Sequence, residues 1–109
     1  MAYDEGVAQR VREAMDAIDN VIEKKMFGGI AFMVNGNMCV GVVKEELMLR
    51  VGPDQYEKLL KMPFAKKMDF TGKPMRGFIY LAAEGFAEES DLNIWIKRAL
   101  DFIMTLPVK

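Results

Sequence analysis

Apolar positions recur at helical spacing from the start of the chain. Val7, Val11, Met15, Ile18 and Ile22 lie three to four residues apart, with Arg10, Arg12, Glu13, Asp16 and Asp19 on the other faces. That spacing predicts an amphipathic helix over residues 5–23, with Lys24 and Lys25 at the end where cations suit the helix dipole. From Gly29 the period changes. Ile30 to Val34 is apolar on both faces, as in a central strand. Asn35-Gly36 is a strong hairpin signal, because a type I′ turn needs positive φ at both central residues. Met38 to Val43 is then the return strand. After Lys44-Glu45-Glu46, Leu47, Leu49 and Val51 alternate with Met48 and Arg50, predicting a third strand with one wetter face.

Gly52-Pro53 breaks that strand, and Pro53 suits the first turn of a short helix over 54–61 with Tyr56, Leu59 and Leu60 inward. Pro63 ends it. Lys67 to Phe70 reads as a short strand, 71-TGKP-74 as a turn, and Met75 to Ala82 as a longer strand. On that strand, alternation sets Arg76, Phe78 and Tyr80 on one face. Leu92, Trp95, Ile96, Ala99, Leu100 and Ile103 mark a last helix, capped by Ser90 or Asp91. The order α-β(3)-α-β(2)-α predicts a two-layer α+β domain with an antiparallel sheet, one domain over residues 1–109. Three helices cover one face of such a sheet. The other face is left without an obvious cover although several strands are apolar on both sides, and large bare apolar surface calls for a partner.

Composition narrows the chemistry. Hydrophobic residues make up 51% of the chain and charged residues 28%, as in ordinary globular domains. Histidine is absent and Cys39 is the single cysteine. A Ser–His–Asp or Cys–His pair cannot be built from such a set, nor an ordinary zinc site. Cys39, inside an apolar run, reads as a small buried hydrophobe. The N-terminus is charged and has no signal-peptide core, and no apolar run approaches the length of a membrane span. A cytoplasmic protein without membrane contact is expected.

The double glycine Gly28-Gly29 invites comparison with phosphate-binding loops. Those loops run from a strand into a helix whose amides meet the phosphate. Here the expected order is helix into strand, with no Lys-Ser or Lys-Thr following. The pair reads as a hinge into the sheet.

Three stretches taken in order resemble a known family: KMFGGIAFMVNGNMCVGVV from Lys25 to Val43, ELMLRVGPDQYEKL from Glu46 to Leu59, and GKPMRGFIYL from Gly72 to Leu81. Together they resemble the N-terminal domain of the TfoX (Sxy) competence regulators, over roughly residues 8 to 106. The resemblance implies an α-β(3)-α-β(2)-α fold similar to that of the type III secretion chaperones. It implies no cofactor and no catalytic residues. Full-length regulators of this kind carry a second, helical domain, and this chain is expected to be a free-standing copy of the first.

Several groups are candidates for a working surface. Arg50, Arg76, Phe78 and Tyr80 combine arginine with aromatics on the wetter strand faces, a combination enriched at protein interfaces. They point to a protein partner or a second copy of the chain, as a homodimer. The same side chains lying along neighbouring rings would be plain packing. Methionines are numerous, ten in all, and Met26, Met33, Met38, Met48 and Met75 lie in or beside strands. They fill gaps or give a binding face its adaptability. Residues 58–76 carry six cations against Asp69, and residues 84–101 are net acidic, on a chain of net charge −1. Lys66, Lys67, Lys73 and Arg76 around the 71–74 turn form a basic wing that could meet nucleic-acid phosphates. A charged edge that deters strand pairing explains the lysines equally well. Asp69 beside Lys67 or Lys73 is the one pairing that suggests catalysis. The expected function is a non-enzymatic protein-interaction module linked to competence, with nucleic-acid binding as the alternative and a small enzyme or ligand binder third.

Overall fold

The computed structural model describes residues 3–26, 28–70 and 73–108, with side chains throughout except at 26, 68–70 and 73–75. The first helix, α1 (Glu5–Ala14), starts where the Asp4 carboxylate accepts a hydrogen bond from the Val7 N–H at 3.1 Å. It buries Ala8 and Val11 and stops nine residues short of the expected end. Residues 15–20 form turns, Asn20 takes a left-handed backbone (φ 62°), and the chain enters β1 (Val21–Met26). The helix expected over 5–23 is therefore a helix followed by an edge strand, and the sheet has six strands where five were expected.

This correction changes the role of the double glycine. β1 and β2 (Gly29–Val34) form an antiparallel hairpin in which Met26 faces Gly29, so Gly28, at φ 73°, lies in a strand-to-strand turn. Gly29 is held to glycine by close approach: a Cβ there would stand 2.0 Å from the Val42 carbonyl oxygen. β2 returns through Asn35-Gly36, both at positive φ (53° and 82°), to β3 (Asn37–Val43), as the Asn-Gly signal predicts. β4 (Glu46–Arg50) follows, then α2 (Pro53–Leu60) with Pro53 in its first turn. β5 (Ala65–Phe70) and β6 (Lys73–Leu81) form the second hairpin, and a single 3-10 turn over Ala83–Phe86 leads into α3 (Glu89–Ile103). The α3 N-cap is Glu88, which makes no side-chain capping bond. Ser90 and Asp91, expected as caps, fall inside the first turn.

All strand pairs are antiparallel in the order β1-β2-β3-β4-β6-β5. Phe32, Val40, Val42, Leu47, Leu49, Ile79 and Leu81 point from the sheet into one core. There they meet Val11 of α1, Tyr56 and Leu59 of α2, and Leu92, Trp95, Ile96 and Ile103 of α3. The alternate residues Ala31, Met38 and Met48 form a second cluster on the opposite face, packed against Met33, Val43, Phe78 and Tyr80. No helical residue belongs to that second cluster among the described residues. The domain is thus two layers, with the helices on one side of the sheet.

Candidate protein-interaction face

Strand register fixes what the bare face presents. Successive partners Lys24–Ala31, Ala31–Gly41, Gly41–Met48, Met48–Tyr80 and Tyr80–Lys66 place one residue of every strand in a continuous row across the sheet. The middle of this row is apolar and each end is a lysine on an edge strand. Beside it runs Ile22–Met33–Met38, and, toward the other edge, the Arg50–Phe78 pair. Ile22 is 58% exposed; Met33, Val43, Phe78 and Tyr80 are half-buried.

The row has a low floor. A Cβ at Gly41 would lie 2.4 Å from the Met48 terminal methyl, so the Met48 tip occupies the space that a side chain at 41 would fill. Met48 is fully buried although no described helical residue belongs to its cluster, whose partly buried members are Met33, Val43, Phe78 and Tyr80. Two unbranched, polarisable thioethers, Met38 and Met48, are buried beneath this surface and a third, Met33, reaches it in part, and such side chains adjust to the shape laid above them. Met26 and Met75 have side chains outside the described residues.

The polar groups sit at the margin. Arg50 reaches the end of the sheet between two rings, 5.4 Å from the Phe78 centroid and 5.7 Å from that of Phe102 on α3, which ties the open face to the helical layer. Lys66 is bound to Glu46 on the same face. Burial, then the Glu46 charge, raises the Tyr80 phenol above its ordinary pKa, so it stays protonated near neutrality as a donor. Of the four residues that alternation groups together, Arg50, Phe78 and Tyr80 share the face. Arg76 is exposed, but it precedes Gly77, whose φ of 94° interrupts the alternation of β6, so simple alternation no longer places it beside them.

The basic wing is less coherent than its sequence. Lys66 and Lys67 are exposed on the edge strand β5, Lys66 is engaged by Glu46, and the Lys73 side chain lies outside the described residues, as does that of Asp69. Lys24 was missed as a surface candidate because the helical spacing of 5–23 runs up to it. The signal that finds it is the β-branched pair Val21-Ile22 leading, through three charged residues, into a glycine turn.

Elsewhere, a cavity of about 430 Å³ opens between α2 and the end of α3, lined by Val51, Asp54, Gln55, Arg98, Asp101, Phe102 and Thr105. Its charges are of both signs and already occupied in part: Asp101 accepts from Lys97, and Arg98 lies 4.5 Å over the Trp95 ring. Among the described residues, no three cysteine or carboxylate side chains converge on a point that could hold a metal ion. No described helix is long and apolar enough to cross a membrane. Burial pushes the Cys39 thiol up to about 12, against a smaller opposing pull from Arg50, which keeps it protonated and weakly reactive at neutral pH.

Fold and face together define a two-layer α+β domain with helices on one side of an antiparallel sheet and a lysine-ended apolar row on the other. Residues 13–103 match the family model of the TfoX N-terminal domain, and the chain belongs to that family. No curated protein and no solved structure matches it.

Proposed function

We propose that this chain is a non-enzymatic regulatory module of the cytoplasm, linked to competence for DNA transformation, which works by docking a protein on its open sheet face through Arg50, Phe78 and Tyr80. The observation that carries this reading is the second apolar cluster, which no helix of the described chain covers. Half-buried Met33, Val43, Phe78 and Tyr80 with Arg50 beside them match the methionine, aromatic and arginine enrichment of protein interfaces. Membership of the TfoX N-terminal domain family supports the regulatory setting. The homodimer expected from the sequence is one form of this reading. Its weakness is electrostatic, since two faces that each end in lysines repel when laid in register.

Complementation tests the reading. In a transformable host lacking this gene, Tyr80→Glu is expected to lower transformation frequency by about tenfold or more. Ile94→Glu, on the outer side of α3, should leave it unchanged. A Tyr80→Glu protein that folds, by circular dichroism, and restores transformation fully removes the proposal. Light scattering at high micromolar concentration decides the homodimer separately.

A further inference from the structure

Resting on that reading, we infer that the occupant of the open face is an acidic amphipathic helix of a partner protein, with its apolar stripe on the half-buried Met33, Val43, Phe78 and Tyr80 and its carboxylates on Lys24, Lys66 and Arg50. The first argument is charge. Among the described side chains the face carries Lys24, Lys66 and Arg50 against the carboxylate of Glu46, on a chain whose net charge is −1. Among the described ion pairs neither Lys24 nor Arg50 has a carboxylate partner. An apolar patch rimmed by a net excess of cations, with Lys66 shared with Glu46, complements an apolar stripe flanked by acids.

The second argument is dimension. Five gaps separate the six strands, so the row from Lys24 to Lys66 spans about 24 Å at about 4.8 Å per strand. A helix of about 16 residues has that length at 1.5 Å per residue. Lysines at the two ends then stand about four turns apart, with room between them for anchors at i, i+3, i+4 and i+7. The anchors would lie on Met33, Val43, Phe78 and Tyr80, and the buried thioethers beneath can shift to fit them without a preformed pocket for each. An added strand is disfavoured, because both edges present lysines, Lys24 and Lys25 on β1 and Lys66 and Lys67 on β5.

Fluorescence anisotropy with synthetic peptides and the intact chain tests this. The probe is an 18-residue labelled peptide with Leu at the anchor spacing and Glu elsewhere. Controls replace every Glu by Lys, or every Leu by Ser, and a fourth probe is a labelled oligothymidylate. The Leu/Glu peptide is expected to bind at least about tenfold tighter than either peptide control and than the oligothymidylate. Lys24→Glu and Lys66→Glu, both on the protein surface, should each weaken it several-fold and flatten its salt dependence. Equal or tighter binding of the Leu/Lys peptide, or of the Ser/Glu peptide, overturns the inference. So does tighter binding of the oligothymidylate, which would make the face a nucleic-acid platform, or no binding of the Leu/Glu peptide at all. If the peptide fails while Tyr80→Glu still abolishes complementation, the docking module stands and its partner is of another kind.

Discussion

Gly52 is the residue on which two elements depend. Its φ of 87° is in the left-handed region, and a Cβ added there would stand 2.3 Å from the Phe102 ring. The chain leaves β4 and starts α2 at this point, with Val51 and Gly52 N–H both donating to the Gly77 carbonyl. Gly52→Ala is expected to cost about 2 to 4 kcal/mol of stability, from backbone strain and displacement of Phe102 together. Urea unfolding measures it, and a loss well under 1 kcal/mol would mean that neither effect operates. The Gly-Pro pair announces a break in the sequence, but nothing there announces the aromatic ring, which arrives from fifty residues away. Cys39 is the opposite case, since a lone cysteine in an apolar run reads as buried, and it is. With its pKa raised from 9.0 to about 12, its thiol ionises more readily in the unfolded chain. Its contribution is complete below pH 9 and is lost as the pH rises from there toward 12. Cys39→Ala should therefore lessen the alkaline loss of thermal stability, and the native thiol should resist iodoacetamide at pH 8 until urea unfolds the chain.

At the scale of elements, the β1 strand shows where periodicity misleads. Ile18 and Ile22 continue the helical spacing of Val7, Val11 and Met15, yet the helix ends at Ala14. Asp16, Asp19 and Asn20 are weak helix formers, Asn20 accepts the left-handed turn, and Val21-Ile22 is a β-branched pair. The decisive gain is non-local: β1 pairs with β2 over its full length, and one edge of the sheet exists because of it. By contrast the Asn-Gly hairpin, the Gly-Pro break and the last helix were legible, because each is set by neighbours in sequence. Arg12 of α1 holds both Glu23 oxygens of β1 at 2.7 Å, so the misread segment is clamped back to the helix that it seemed to extend. That contact, above all its hydrogen bonds, lowers the Glu23 pKa. A depressed carboxylate contributes stability above its unfolded pKa and loses it as pH falls through the folded value. Glu23→Gln should thus destabilise slightly at pH 7 and make no difference at pH 2. The pair is partly exposed, so the effect at pH 7 is small. Thermal melts at the two pH values check the sign.

For the whole molecule, the two sheet faces are built for different ends, and stability can be separated from function along that division. Helix-side residues such as Phe32 are fully buried in the core between the sheet and the helices. Open-face residues such as Phe78 and Tyr80 are half-buried against the cluster of Ala31, Met38 and Met48, and Phe78 lies under the Arg50 side chain. Sequence alternation announced that both faces were apolar. It could not tell that one is packed by helices while the other rests on its own methionines, since that depends on where the helices fold back. The consequence is an asymmetry in cost. Phe32→Ala removes a ring enclosed on all sides and should destabilise by about 3 to 5 kcal/mol. Tyr80→Ser forfeits a ring that water already reaches in part and should cost about 1 to 2 kcal/mol. Both are read from the midpoint of urea unfolding. If Tyr80→Ser, or Phe78→Ser beside it, were as damaging as Phe32→Ala, the open face would be a second core that the domain needs for its own stability. If they are mild, the apolar side chains on this face are there for something other than the fold, and a docked partner is what their chemistry suits.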